Sequence, residues 1–164
     1  MKKNFKSIFC MVALALVTAS CGKFGNGPII WDIAPVCLTL AATDSTHDLF
    51  DPAVEGNIID EVSVTYDGKE YKVETQDKAY LAVFHGLVHR YWGEKYGHVL
   101  VFGEFDGAAD FNDMTMTVNW PDSSKDVVVY NRSFKWDQNG YPVIKDTATV
   151  NGIGGKLYLE KTIK

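Results

Sequence analysis

Cysteine is scarce in this chain, with three in 164 residues, at positions 10, 21 and 37. Small domains that are held together by disulfides need several paired cysteines, so this class is excluded. Only Cys37 lies in the part of the chain that looks like a folded domain, within the apolar run Ala34–Leu38. We expect a buried, unreactive thiol there, because apolar surroundings disfavour the thiolate.

Catalytic signature motifs are missing. The sequence has no G-x-S-x-G motif, no phosphate-binding loop, no glycine-rich dinucleotide motif and no C-x-x-C pair. Carboxylates are plentiful, but nothing singles out two of them as a pair for glycoside hydrolysis. The sequence therefore favours a non-catalytic protein, and it implies no cofactor.

Positive charge is also sparse, with 16 basic against 21 acidic residues and no basic run in the domain. Binding to nucleic acid depends on cations that meet phosphates. We therefore expect no nucleic-acid partner.

Long apolar runs are limited to one segment near the N-terminus. Ile8–Val17 holds ten uncharged, apolar residues and follows the lysines at positions 2, 3 and 6. A helix of this length spans about 15 Å, roughly half of the hydrocarbon core of a membrane. The pattern is typical of a signal peptide rather than of a transmembrane helix.

The segment Thr18-Ala19-Ser20-Cys21 follows, with small residues in front of a cysteine. It resembles the lipobox of bacterial lipoproteins, except at Thr18, where the pattern most often has leucine. The resemblance implies that residues 1–20 are cleaved off and that the Cys21 sulfur carries a diacylglycerol anchor. The alternative is a plain secretory signal cut after Ser20, which leaves Cys21 free.

Three segments follow from this interpretation: a lipoprotein signal peptide at 1–20, a flexible tether at 21–27 and a single domain at 28–164. Without its leader the chain carries 13 basic and 21 acidic residues, a net charge of −8. We expect a lipid-anchored protein of the bacterial cell envelope, in the outer membrane, with the domain on either its periplasmic or its outer side.

Alternating apolar residues and turn motifs dominate the rest of the chain. Asp67-Gly68 separates the alternating runs 58–66 and 69–73, which predicts a two-residue hairpin turn. Further strands are predicted at 79–84, 98–105, 114–120, 127–136, 143–150 and 156–162, with turns at 120–125 and 137–140. Helical structure is considered only for Leu81–Tyr96. The sequence predicts an all-β fold, an antiparallel β-sandwich of the immunoglobulin-like or a related type.

Several short motifs resemble a family of small bacterial envelope lipoproteins with β-sandwich domains. They are Trp31-Asp32-Ile33-Ala34-Pro35-Val36, Asp48-Leu49-Phe50-Asp51-Pro52, Gly56-Asn57-Ile58 and Val64-Thr65-Tyr66-Asp67-Gly68-Lys69-Glu70-Tyr71. The resemblance covers Pro28 to Val73, about a third of the mature chain. It implies an envelope location and a sandwich fold, and it brings no reaction and no catalytic residues.

The segment 85–98 holds three of the four histidines. His85 and His89 lie four residues apart, which places both on one face of a helix or of a strand. Together with Glu94 or His98 they form a candidate zinc site. The glutamate that follows the first histidine of the known metalloprotease motif is Gly86 here. The alternative is a loop whose histidines hydrogen-bond locally.

The same segment contains Tyr91, Trp92 and Tyr96, which are candidate ligand-binding residues. Aromatic rings stack on the apolar faces of sugars, and an envelope protein commonly meets glycans. Further candidates for such an aromatic platform are Trp120, Trp136 and Tyr141. The alternative is that these aromatic residues fill or cap the core of the sandwich.

Two acidic groups, at 44–51 and 106–113, are interpreted as turn formers rather than as calcium sites. Neither has the spacing or the final bidentate glutamate of a helix-loop-helix calcium loop.

The sequence therefore predicts a lipid-anchored envelope protein that acts as a non-catalytic binding module. Its predicted partners are the membrane, through the N-terminal lipid, and an envelope protein or glycan. Two alternatives stay open: a metal-assisted envelope enzyme centred on the segment His85–His98, and a purely structural lipoprotein that serves in assembly.

Overall fold

The chain forms two β-sheets that pack against each other. Alternate residues along the strands point inward and form a shared apolar core. The computed structural model describes residues 32–75 and 86–163, and ten strands lie within these ranges. The all-β architecture with two packed sheets is confirmed. The predicted signal peptide, the tether, Cys21, the strand at 79–84 and His85 lie outside the described residues.

The first sheet has four strands: β1 (Val36–Thr43), β4 (Gly86–Tyr91), β5 (His98–Phe105) and β10 (Tyr158–Thr162), in the order β10-β1-β5-β4. β1 pairs antiparallel with β5 and parallel with β10. The parallel pair departs from the purely antiparallel prediction. Parallel neighbours need a long crossover, and here the chain completes the whole second sheet between β1 and β10.

The second sheet has six strands: β2 (Ser63–Tyr66), β3 (Lys69–Lys72), β6 (Phe111–Asn119), β7 (Lys125–Trp136), β8 (Pro142–Val150) and β9 (Ile153–Gly155). Their order is β3-β2-β6-β7-β8-β9, and all neighbours are antiparallel. One turn of 3-10 helix, Ile59–Glu61, precedes β2. Every connection in this sheet is a hairpin except the one from β3 to β6. Between these two strands the chain forms β4 and β5 of the first sheet.

Three predicted turns are confirmed. Asp67 and Gly68 have φ angles of 50° and 72° and join β2 to β3, as a two-residue hairpin turn requires. Asp122 closes the turn between β6 and β7, where its carboxylate accepts a hydrogen bond from the Ser124 amide at 2.9 Å. In the β7–β8 turn the Asp137 carboxylate accepts from two backbone amides.

The central strand β5 is buried on both of its faces. Leu100 and Phe102 lie in the core between the sheets, whereas Val99 and Val101 pack on the opposite face with Val88 and Cys37. Two-sided burial explains why β5 reads as a continuous apolar run rather than as an alternating one. Burial also raises the pKa of the Cys37 thiol above its ordinary value, which agrees with the expectation of an unreactive cysteine.

The option of a helix over Leu81–Tyr96 is wrong for the residues that the structure describes. Residues 86–91 form β4, and residues 92–97 form a turn. Glycines at 93 and 97 adopt positive φ angles, which ends any regular period at this point. Within the described ranges, no helix is long and apolar enough to cross a membrane.

Phe50 anchors the long loop between β1 and β2, since its side chain is fully buried in the core. We expect Phe50→Ala to lower the free energy of unfolding by about 3–5 kcal/mol, because it leaves a cavity in the core. Ile153→Ala is the matched control, because Ile153 is 74% exposed, and it should change stability by less than about 0.5 kcal/mol. Urea unfolding monitored by circular dichroism measures both, and equal losses would contradict the anchoring role.

Candidate functional site

The turn at 92–97, between β4 and β5, is a tight hairpin connection closed by its own backbone. The Trp92 amide donates to the Gly97 carbonyl at 2.9 Å, and the Gly97 amide donates to the Gly93 carbonyl at 2.9 Å. Gly93 and Gly97 have φ angles of 75° and 64°, which glycine adopts without steric cost. The turn therefore holds the side chains between these glycines at the end of the first sheet.

Asp48 fastens the start of β5 to the loop between β1 and β2. One oxygen of its carboxylate accepts from the His98 amide at 2.7 Å, and the other accepts from the Phe50 amide at 3.0 Å. Gly97 leaves room for this contact, because a Cβ atom at that position would lie 2.5 Å from Asp48 Oδ2. We call these two hydrogen bonds of Asp48, to the amides of His98 and Phe50, the Asp48 clasp. The clasp places loop 44–57 next to the turn 92–97.

Two other aspartates of this loop also accept hydrogen bonds from backbone amides. Asp44 accepts from the amides of His47 at 2.7 Å and Thr46 at 2.8 Å, and Asp51 accepts from the Ala53 amide at 2.8 Å. The hydrogen bonds from His47, first from its amide and then from its ring, and the one from Thr46 lower the pKa of Asp44 to about 2. These contacts agree with the interpretation of the acidic group as turn formers.

Tyr91, Trp92 and Tyr96 are exposed by 58%, 45% and 50%, so they do not fill the core. Their rings are nevertheless ordered by one another and by neighbours. Trp92 meets Tyr96 edge to face at 6.4 Å, and Tyr91 packs against His98 at 4.8 Å between ring centroids. The Lys95 ammonium lies 4.9 Å from the centre of the Tyr96 ring. We call these three exposed residues the aromatic group: Trp92 and Tyr96 contact each other, and Tyr91 contacts His98.

The other three aromatic candidates do not join this group. Trp120 is 4% exposed, and its indole N–H donates to Asp126 at 2.8 Å, so its place in an exposed platform was wrong. Trp136 and Tyr141 are exposed on the β7–β8 hairpin. That hairpin lies at the other end of the sandwich, as the pairing of β7 with the start of β6 shows. The ring of Phe111 at the start of β6 contacts that of Phe105 at the far end of β5.

A cleft of about 280 Å³ lies beside the aromatic group. It lies between the turn 92–97, the start of β5, the loop after β1 and strand β10, which contribute Lys95, Tyr96, His98, Asp48, Tyr158 and Glu160. Burial, followed by the charges of Glu160, Tyr96 and Asp48, raises the pKa of Tyr158. The cleft therefore combines two phenol rings with acidic, basic and imidazole groups within a small volume.

His89 and His98 meet in the predicted metal segment. His89 Nε2 lies 3.0 Å from His98 Nδ1, and the rings are parallel to within 5° with centroids 5.1 Å apart. A nitrogen separation this short, with centroids this far apart, describes rings that meet edge to edge. One nitrogen donates and the other accepts. The second nitrogen of His98 lies 3.6 Å from Asp51 Oδ1.

A hydrogen bond joins the two imidazoles, and Asp51 lies near the second nitrogen of His98. Glu94 lies on the turn and is exposed. Among the described residues, no three histidine, cysteine or acidic side chains are placed to hold a metal ion. The zinc site stays a prediction, because His85 lies outside those residues.

Sequence reasoning found the aromatic turn but missed half of the cleft. Tyr158 and Glu160 come from the last strand, about sixty residues after the turn. Asp48 was assigned to a turn, and its contact with His98 was not foreseen. No local pattern connects these positions, because the parallel pairing of β1 with β10 is what brings them together.

Comparison of Gly97→Ala with Gly93→Ala distinguishes the stability lost with the Asp48 clasp from the stability lost to backbone strain. Both glycines have positive φ, so each substitution should cost about 1–2 kcal/mol of stability. Gly97→Ala should cost a further ~1–3 kcal/mol, because its Cβ displaces Asp48 from the His98 amide, whereas the Cβ of Gly93→Ala meets nothing within 4 Å. Urea unfolding gives the two losses, and hydrogen exchange at the His98 amide should accelerate in Gly97→Ala alone. Similar exchange rates in both variants would contradict the clasp.

Comparisons of the chain with family models, with curated proteins and with solved structures each gave no match.

Proposed function

We propose that this chain is a lipid-anchored protein of the bacterial outer membrane whose domain binds a glycan without catalysis. The two packed sheets would form an immunoglobulin-like or related β-sandwich. Binding would take place at the turn 92–97 and in the cleft beside it. Cys21 would carry the anchor, and the tether 21–27 would separate the domain from the membrane.

The observation that carries the proposal is the exposed aromatic group beside a polar cleft. Large exposed aromatic side chains are costly to leave in water, and a cluster of them marks a binding surface more often than chance. Their rings offer broad apolar faces at a small cost in side-chain entropy. Those faces match the C–H surface of a pyranose ring.

The polar lining of the cleft supports a sugar rather than a purely apolar ligand. A glycan presents many hydroxyls, and each needs a donor or an acceptor when water is removed. Lys95 supplies donors, Asp48 and Glu160 supply acceptors, and His98 and Tyr158 supply both. A binding site of this kind needs no metal and no activated nucleophile.

The anchor is tested by Cys21→Ala, because a thioether can form only on the Cys21 sulfur. We expect the variant to lose all lipid labelling in bacteria fed radioactive palmitate and to move from the membrane fraction to the soluble fraction. Cys10→Ala is the matched control, since Cys10 lies within the predicted signal peptide, and it should label normally. Membrane retention of Cys21→Ala would overturn the anchor.

The glycan site is tested by binding of the full-length protein, in mild detergent, to peptidoglycan fragments and envelope polysaccharides. Trp92→Ala and Tyr96→Ala should each weaken binding about tenfold, since a lost aromatic contact is worth roughly 1–1.5 kcal/mol. Calorimetric titration measures this change.

Trp136→Ala is the control for that experiment. Trp136 is 52% exposed, which is close to the value for Trp92, but it lies at the opposite end of the sandwich. It should bind glycans as the parent chain does. Equal losses in all three variants, or no binding to any of these glycans, would contradict the proposed function.

A further inference from the structure

The chain enters the domain at the end of the sandwich that lies opposite the aromatic turn. Val36 at the start of β1 pairs with Phe105 at the end of β5, whereas the aromatic turn precedes the start of β5. Gly107 packs against the residues in front of β1, because a Cβ atom at that position would overlap the Ala34 carbonyl oxygen. Cys21 precedes this point in the chain, so the proposed anchor is attached at this end of the domain.

The hairpin of β7 and β8 projects from the same end. Phe111 at the start of β6 pairs with Arg132, and β7 continues for four more residues to Trp136, about 13 Å at the usual rise of a strand. The connection from β5 to β6, which packs against the chain entry, also holds this hairpin. Its Asp110 carboxylate accepts a hydrogen bond from the Phe134 amide at 2.6 Å. The hairpin and the chain entry therefore lie side by side.

One face of this hairpin is apolar and half-exposed. Phe134 pairs with Ile144 and Trp136 pairs with Pro142, and the register places all four on the side that faces the core further back along β7. Burial ends along this side, because Tyr130 is 2% exposed whereas Trp136 is 52% and Ile144 is 41% exposed. The rings of Phe134 and Trp136 meet edge to face at 5.2 Å between centroids. We call the surface of the four paired residues the hairpin face.

We propose that the hairpin face contacts the phospholipid surface of the membrane that carries the anchor, as a second attachment of the domain. The proposal rests on the proposed anchor at Cys21. Tryptophan and tyrosine favour the boundary between headgroups and acyl chains, because they combine an apolar ring with one polar group. Trp136 on the face and Tyr141 beside it, which is 47% exposed, have this chemistry. The tip at 137–140 is polar, so the hairpin would lie along the membrane surface rather than cross it.

The length of chain between the anchor and the domain permits this contact. Ile33 is the twelfth residue after Cys21, and a chain of that length reaches at most about 40 Å. The hairpin is thereby confined near the membrane, where a weak contact suffices because the tethered face has a high effective concentration. The aromatic turn at the opposite end would point away from the membrane, towards a glycan.

Charge does not explain an attraction of this end to the membrane. Anionic lipids attract clusters of lysine and arginine. On and beside the hairpin, three basic groups are opposed by at least four carboxylates: Arg132, Lys135 and Lys145 against Asp110, Asp113, Asp137 and Asp146. The contact would therefore depend on the apolar and aromatic face, and it should be insensitive to salt.

The contact is tested with the lipidated full-length chain in vesicles of phosphatidylethanolamine and phosphatidylglycerol that contain phospholipid brominated in the upper acyl chain. Bromine quenches tryptophan fluorescence at short range. The chain has tryptophans at 31, 92, 120 and 136, and Trp31→Phe serves as the background because Trp31 lies outside the described residues. We expect brominated lipid to lower the fluorescence, Trp136→Phe to remove most of that decrease, and Trp92→Phe, the matched control at the other end, to retain it.

A second pair of variants tests the face itself. Ile144→Asp places a carboxylate on the hairpin face and should lower the quenching of Trp136 several-fold, because a charge is costly to bring into a membrane. Ser133→Asp is the matched control, since Ser133 is exposed on the opposite face of β7, and it should leave the quenching unchanged. A loss of quenching at high salt, or equal losses in both variants, would overturn a contact made by the hairpin face.

Vesicle flotation and palmitate labelling are measured first, because they report the anchor. A chain that neither labels nor floats would overturn the anchor and this proposal with it. A chain that labels and floats while Trp136 stays unquenched would overturn the hairpin contact and leave the anchor intact. Shielding of Trp136 that grows with the ratio of protein to lipid would assign the hairpin face to a second copy of the chain and would likewise overturn the lipid contact.

Discussion

The contact between the Asp48 carboxylate and the backbone amides of His98 and Phe50 is the constraint on which the candidate site depends. Charged acceptors form stronger hydrogen bonds than neutral ones, and this carboxylate joins residues fifty positions apart in the chain. Because Phe50 is fully buried, the loop is fixed to the core on one side and to β5 on the other. The aromatic turn therefore projects from a fixed base rather than from a free hairpin.

The same carboxylate links the fold to the chemistry of the cleft. Asp48 lines the cleft that also contains Tyr96, Tyr158 and His98. Its two oxygens are already held by backbone donors, so its negative charge is positioned before any ligand arrives. Preorganised polar groups cost less to bring into a complex than groups that must be ordered during binding.

Local chemistry made much of the fold predictable. Asp67-Gly68 specified its hairpin because a two-residue turn needs positive φ at both positions, and β5 was predicted with the bounds that it has. The parallel pairing of β1 with β10 was not predictable, since strand direction leaves no trace in an apolar pattern. For the same reason the cleft was only half foreseen. The turn supplied its aromatic residues locally, whereas Tyr158 and Glu160 depend on tertiary pairing. Trp120 was misplaced because an indole looks the same in sequence whether it is buried or exposed.

The core of the sandwich separates the polar groups at its two ends. At the end where β5 begins, Asp44, Asp48 and Asp51 each accept hydrogen bonds from backbone amides, which stabilise their negative charges. At the other end, Arg132 has one long contact with Tyr130 and no close carboxylate among the described residues. The eight residues of β5 separate these ends by about 25 Å. Substitutions this far apart, with no shared partners, act independently, so the stability change from a substitution at Arg132 should add to that from a substitution in the aromatic turn.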